Sequence, residues 1–197
     1  MVSLFFGEKT LKTRRAIVVI GTIVFLILGA VVFFLAQANK QDVSALNQKL
    51  PEGITVVKNV FGEYRVVNRK DGYSFKIPKE WKGITKTEYT PERNVQGYQV
   101  ASLYVEGNGP ASILSVDMYK NVTDDTMTFA NKIWALFGLE GKLESEKIGK
   151  YDVVTGFEEK NLGGTFVYFF KDQKTNIFVQ NNGSEEYLKN IIINGKW

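Results

Sequence analysis

With neither histidine nor cysteine in the chain, catalytic chemistry is left to carboxylates, Lys, Tyr and Ser. Glu144 and Glu146 stand two apart, which puts both on one face of a strand, and Glu158 and Glu159 form a second pair. Two carboxyl groups facing each other at about 5–10 Å would suit glycoside hydrolysis, one as acid and one as nucleophile or base. Asp117 with Asp124 and Asp125 offers a candidate cation site, although adjacent acids there also suit the N-terminus of a helix. Gly7-Glu8-Lys9-Thr10 matches the end of a phosphate-binding loop but lacks its leading glycine and a preceding strand, and is set aside. Without histidine or cysteine there is no Ser-His-Asp or Cys-His catalysis, no ordinary zinc hydrolysis, no blue copper and no disulfide. The expectation is a protein that is not an enzyme, with no cofactor and no metal.

Ala16 to Ala36 is a run of 21 residues without a charged side chain. A helix of that length, at about 1.5 Å per residue, spans the roughly 30 Å hydrocarbon core of a bilayer. Ala16, Ile20, Phe25, Leu28, Phe33 and Ala36 mark this expected anchor. Lys12, Arg14 and Arg15 precede it and place the N-terminus in the cytoplasm. Ala36-Gln37-Ala38 has the small-x-small form of a signal-peptidase site, so cleavage after Ala38 is the rival reading. The run is longer than a signal core of about 7–15 residues, which favours an uncleaved signal-anchor. No cysteine follows it for lipidation, and no glutamate lies within it as in type IV pilins. The organisation read from this is a cytoplasmic tail at 1–15, a transmembrane helix at 16–37, a stalk or linker at 38–60 and an extracytoplasmic domain at 61–197.

The overall pI near 9.1 suggests nucleic acid until the charge is partitioned. Four of the 25 Lys and Arg, against one of the 21 Asp and Glu, fall in residues 1–15, so the remainder of the chain is close to neutral. The basicity marks membrane topology, and nucleic acid is not expected as a partner.

Within the domain, Tyr64–Asn68, Ile84–Tyr89, Tyr98–Glu106 and Ser112–Tyr119 read as strands; Tyr73, Phe75 and Ile77 alternate with Ser74 and Lys76, and Leu114, Val116 and Met118 with Ser115 and Asp117, the period of half-buried strands. Ile54–Val60 is left as either an edge strand or linker, and Tyr89–Gln96 reads as an exposed loop. Asp71-Gly72 favours a hairpin turn. Thr123, Asp124 or Asp125 caps a helix whose stripe is Phe129, Ile133 and Phe137. Strands follow at Leu143–Ile148, Tyr151–Glu159, Thr165–Phe170 and Asn176–Gln180, and a last helix begins at Ser184. Phe166–Phe170 is apolar on both faces and is expected in a central strand covered on both sides. Asn121-Val122-Thr123 and Asn182-Gly183-Ser184 fit the glycosylation sequon, of consequence only in a glycosylating host.

Gly72-Tyr73-Ser74-Phe75-Lys76-Ile77-Pro78-Lys79-Glu80-Trp81 resembles the opening of PsbP-like domains, where an aromatic strand ends in Pro and then Trp. The resemblance covers about residues 60–197. It implies an α+β fold, a mostly antiparallel sheet flanked by helices in an α-β-α sandwich, and a non-catalytic binding or accessory role. Trp81 is read as closing the end of a core. Tyr89, Tyr98, Tyr104 and Tyr151 are the candidate interaction surface, since aromatics are enriched at interfaces. The combined reading is a membrane-anchored extracytoplasmic binding module whose partner is a protein or envelope component. A carboxylate-dependent envelope hydrolase and a small-ligand or lipid carrier are the alternatives.

Overall fold

A computed structural model describes residues 25–28, 30, 43–109, 112–159, 164–172, 175–181 and 183–197. Lys12, Arg14, Arg15, Ala16, Ile20, Phe33, Ala36, the Gly7–Thr10 segment and the cleavage position after Ala38 lie outside the described residues. Phe25 and Leu28 are described, and both are helical and exposed.

Alternation decides the strands. Strands β1 (Ile54–Lys58), β2 (Tyr64–Asn68) and β3 (Tyr73–Lys76) form a three-stranded antiparallel sheet. Its register stacks Ile54, Asn68 and Tyr73 in one row and Val56, Val66 and Phe75 in the next, and all six are buried. Ile54–Lys58 falls in the 38–60 segment read as stalk; here it is the edge of a sheet, and the ordered domain reaches back to a helical turn at 43–47 with Val43 buried.

A second sheet has seven strands in the order β4-β5-β6-β10-β9-β8-β7, all antiparallel. They are β4 (Ile84–Val95), β5 (Tyr98–Gly107), β6 (Ile113–Lys120), β7 (Leu143–Ile148), β8 (Tyr151–Glu158), β9 (Thr165–Asp172) and β10 (Thr175–Asn181). Two meanders meet at the β6–β10 pair. Between them the chain crosses to the far edge through helix α1 (Thr126–Leu136). From β6 to β7 the crossing spans four strand spacings of about 4.8 Å. Eleven helical residues, at about 1.5 Å each, cover most of that distance. The helix therefore lies on β7, β8 and β9, and its stripe of Phe129, Ala130, Ile133 and Trp134 is buried with Val154, Val167, Phe169 and Phe178. Asp125 is its N-cap, accepting from the Thr128 amide at 2.9 Å.

The other face of the large sheet is covered by the three-stranded sheet and by helix α2 (Glu185–Asn194). Leu103, Val116, Tyr168, Phe170 and Val179 share one core with Ile54, Val56, Val66, Phe75 and the α2 residues Leu188, Ile191 and Ile192. Strand β9 is interior, with Tyr168 and Phe170 in this core and Val167 and Phe169 in the other, as the two-sided apolar pattern requires.

These layers correct the expected helix-flanked α-β-α sandwich. The protein is mostly antiparallel β in two sheets with short helices, and one outer layer is itself largely a sheet. Strand patterning reports which face of a strand is buried but not which sheet the strand joins, and the β1–β3 rows carry an apolar face of their own. Among the described residues no helix is long and apolar enough to cross a membrane, and most of the 16–37 run lies outside them. The expected loop at Tyr89–Gln96 is strand instead. Strand β4 runs on to Val95 with a register shift between Thr90 and Arg93, where Pro91 sits. An edge strand tolerates proline at such a bulge, and the bulge together with nearby charges blunts the edge against association.

Gly156 faces α1 without room for a side chain: a Cβ there would lie 2.5 Å from the Trp134 ring and 2.8 Å from Leu143. Gly156→Ala is expected to cost ~1–3 kcal/mol in urea unfolding as overpacking. Combining it with Trp134→Leu should cost less than the sum of the single losses, because the two sites share the same space. Strict additivity would show that Trp134 is not what the added methyl meets.

Candidate functional site

The carboxylates of the sequence do not converge. Glu144 pairs with Lys142 at 3.1 Å and Glu146 with Lys189 at 2.9 Å. Glu158 is fully buried while its neighbour Glu159 is exposed. Asp124 holds Lys132 at 2.8 Å, and Asp125 is occupied by the Thr128 amide and hydroxyl, which keep its carboxyl below the usual range. Among the described residues no group of three or more His, Cys, Asp or Glu is placed to hold a metal ion.

Asp117 differs from these. It lies on the α1 side of β6, opposite Ser102 of β5 and Phe178 of β10. Ser115 donates to its Oδ1 at 3.3 Å. Burial pushes its carboxyl above the usual range, opposed by the Ser102 and Ser115 hydroxyls and by Arg93.

The four tyrosines are dispersed. Tyr151 is only 6 % exposed and packs on Phe170 at 5.2 Å, so it belongs to the core and not to a surface. Tyr98 closes the rim of the α1 core, edge-on to Tyr119 and Phe129, with its hydroxyl 3.4 Å from Asp124. Tyr104 shares that side of β5, donates to Glu106 at 3.3 Å and lies under the Lys86 ammonium. Tyr89 is half-buried on the opposite side, beneath Lys70, and burial followed by the nearby Asp71 raises its phenol.

The feature that does gather residues is a groove at the open end of the small sheet. Asn59 builds one wall. Its side-chain oxygen accepts from the Phe61 and Glu63 amides at 3.0 and 2.9 Å, and its amide donates to Glu63 Oε2 at 2.8 Å. With Gly62 at φ +79°, this fixes the β1–β2 turn and projects Val60 and Phe61 outward, Phe61 at 84 % exposure. Asn59 and Lys79 hold the Glu63 carboxyl below its ordinary range, with Lys79 at 3.2 Å and Lys76 at 4.0 Å. The opposite wall is the turn that follows β3. Pro78 starts a single 3-10 turn, Lys79–Trp81, which drives Trp81 into the core and leaves Lys79 and Lys82 outside.

Two adjoining concavities result, sharing Glu63, Ile77, Pro78 and Lys79. One, of about 330 Å³, extends to Tyr187 and Asn190 of α2; the other, of about 350 Å³, extends past Lys82 to Phe61. The sequence did mark Pro78 and Trp81, but not Phe61. Its signal was Asn59-Val60-Phe61-Gly62, two apolar residues bracketed by turn formers between alternating segments.

Comparisons with protein-family models, with curated proteins and with solved structures gave no match for this chain.

Asp117 sets a pH dependence. A carboxyl held up in the folded chain stabilises below the ordinary aspartate range and loses that contribution as pH rises through its folded value. Asp117→Asn should therefore raise Tm at neutral pH, on the scale of about 2–4 °C per kcal/mol for a domain of this size. The gain should fade as pH drops below about 4, where both side chains are neutral. A gain that is the same at both pH values would mean that packing, not ionisation, separates the two proteins.

Proposed function

We propose that this protein is a single-pass, membrane-tethered binding module, with its N-terminus in the cytoplasm, its domain on the other side and no catalytic chemistry of its own. The observation that carries this is the shortness of the connection. Six residues separate the uncharged 16–36 run from Val43, the first described residue of the domain's core. A domain held so close meets partners within the membrane plane at raised effective concentration, without needing high intrinsic affinity. Its near-neutral charge favours a protein or envelope component over nucleic acid.

The acids support binding over hydrolysis. A carboxylate pair needs one group held protonated and one held ionised, facing a common substrate. A raised carboxyl here is Asp117, on the α1 side of the large sheet. The lowered ones are already engaged: Asp125 caps α1, Glu63 is held by Asn59 and Lys79, and Glu185 accepts from Tyr168 at 3.2 Å and pairs with Lys189 at 2.8 Å. The concavities are open at the surface, whereas a carrier of small apolar ligands encloses its cargo. The likeness of Gly72–Trp81 to PsbP-like domains agrees with an accessory role at the level of that motif.

Alkaline carbonate extraction of membranes carrying the full chain tests the tether. The chain should stay with the membrane pellet, and protease added outside should digest the domain but spare the N-terminal tail. Replacing Lys12, Arg14 and Arg15 with Gln should lower the fraction with this orientation. Release into the supernatant would overturn the reading.

A further inference from the structure

The β1–β2 turn points to a second membrane contact. We infer that Val60 and Phe61 enter the interfacial layer of the bilayer that holds the tether, with Lys58, Lys79 and Lys82 against anionic lipid headgroups. This rests on the tether proposed above.

Phe61 is 84 % exposed and Val60 46 % exposed at the tip, with Val57 44 % exposed just before it on β1. The three Asn59 hydrogen bonds hold this apolar tip in one shape, so it does not fold back to cover itself. A rigid, outward aromatic beside cations is suited to the membrane interface, where ring and ammonium each find their preferred surroundings. The concavity behind Phe61 is lined by Lys58, Lys79 and Lys82 against one acid, Glu63, which Asn59 and Lys79 already engage. That charge balance fits a phosphate-bearing surface.

Register supplies the location. The Ile54 amide bonds back to Pro51, and Asn47 bonds in both directions to Val56, at 2.9 and 2.7 Å. Moving back from Pro51 through Asn47 thus runs along β1 toward Lys58, the strand end that leads into the Val60–Phe61 turn. The six residues 37–42 amount to at most about 20 Å of chain, which keeps the domain close to the membrane that holds the tether.

The chain has no native cysteine, so a single label is unambiguous. Phe61→Cys carrying an NBD fluorophore, in the full chain reconstituted into phosphatidylcholine–phosphatidylglycerol vesicles, should show blue-shifted emission that spin-labelled lipid quenches. Thr123→Cys, exposed beyond the far end of β6, should emit as in water. Adding Lys79→Gln with Lys82→Gln should reduce the quenching and abolish its sensitivity to salt and to phosphatidylglycerol. Flotation separates the two readings. A chain that does not float with the vesicles overturns the tether and this contact together, whereas a floated chain whose position 61 is aqueous overturns this contact alone. A blue shift without lipid quenching assigns Phe61 to a protein contact and also overturns it.

Discussion

An interior strand with no polar face must be covered twice, and much of the architecture follows from that constraint on β9. Strand β9 offers Val167 and Phe169 to one side and Tyr168 and Phe170 to the other, all fully buried. Helix α1 covers the first set because the connection from β6 to the far edge has to cross that face anyway. The second set needs a wider cover, and the chain supplies it from both ends: the β1–β3 sheet from the N-terminal side and α2 from the C-terminal side. Backbone pairing joins these two parts. The amide and carbonyl of Lys196 pair with those of Ser74 at 2.7 Å each, and Trp197 stacks on Tyr73 and Phe75 while meeting Phe170 edge-on. One indole therefore touches the small sheet and the large one, and its N–H donates to the Ile192 carbonyl of α2 at 3.1 Å.

The same economy shapes the surface. Acids that looked available for chemistry are consumed by the scaffold: Asp125 caps α1, Glu146 and Glu185 share Lys189, and Glu63 ties the β1–β2 turn to the lysines after β3. What remains outward at that turn is apolar and cationic. The groove is thus a by-product of closing the core, since Pro78 and the 3-10 turn exist to bring Trp81 inward and the lysines around it have nowhere else to go.

Local patterning made the elements legible. Tyr64–Asn68 is β2 to the residue, Asp125 is the cap that acids before an apolar stripe implied, and Phe166–Phe170 is interior. Partnership was not legible. Alternation in Ile54–Lys58 fits a strand, yet nothing local says that its partner is β2 in a separate sheet, and so the layers were misjudged. Tyr89–Gln96 reads as a loop because it contains Pro91, yet the rule against proline in strands applies to interior strands and β4 is an edge. Tyr151 looked like a rim residue beside the Gly149-Lys150 turn; tertiary packing against Phe170 buries it. Phe61, a single exposed aromatic, has no period to announce it.

The β6–β10 junction gives the domain an order of assembly. Six residue pairs join the two meanders there, and β10 is the last strand of the chain. A polypeptide emerging N-terminus first completes β4, β5 and β6 while the outer edge of β6 has no neighbour, and all of α1 through β9 must appear before its mate arrives. During that interval the first half is a hairpin stack with a bare hydrogen-bonding edge, the kind of surface that recruits a stray strand from another molecule. Newly made copies would therefore be at their most adhesive toward each other before β10 is in place, and the finished fold removes that hazard by zipping its own two halves together.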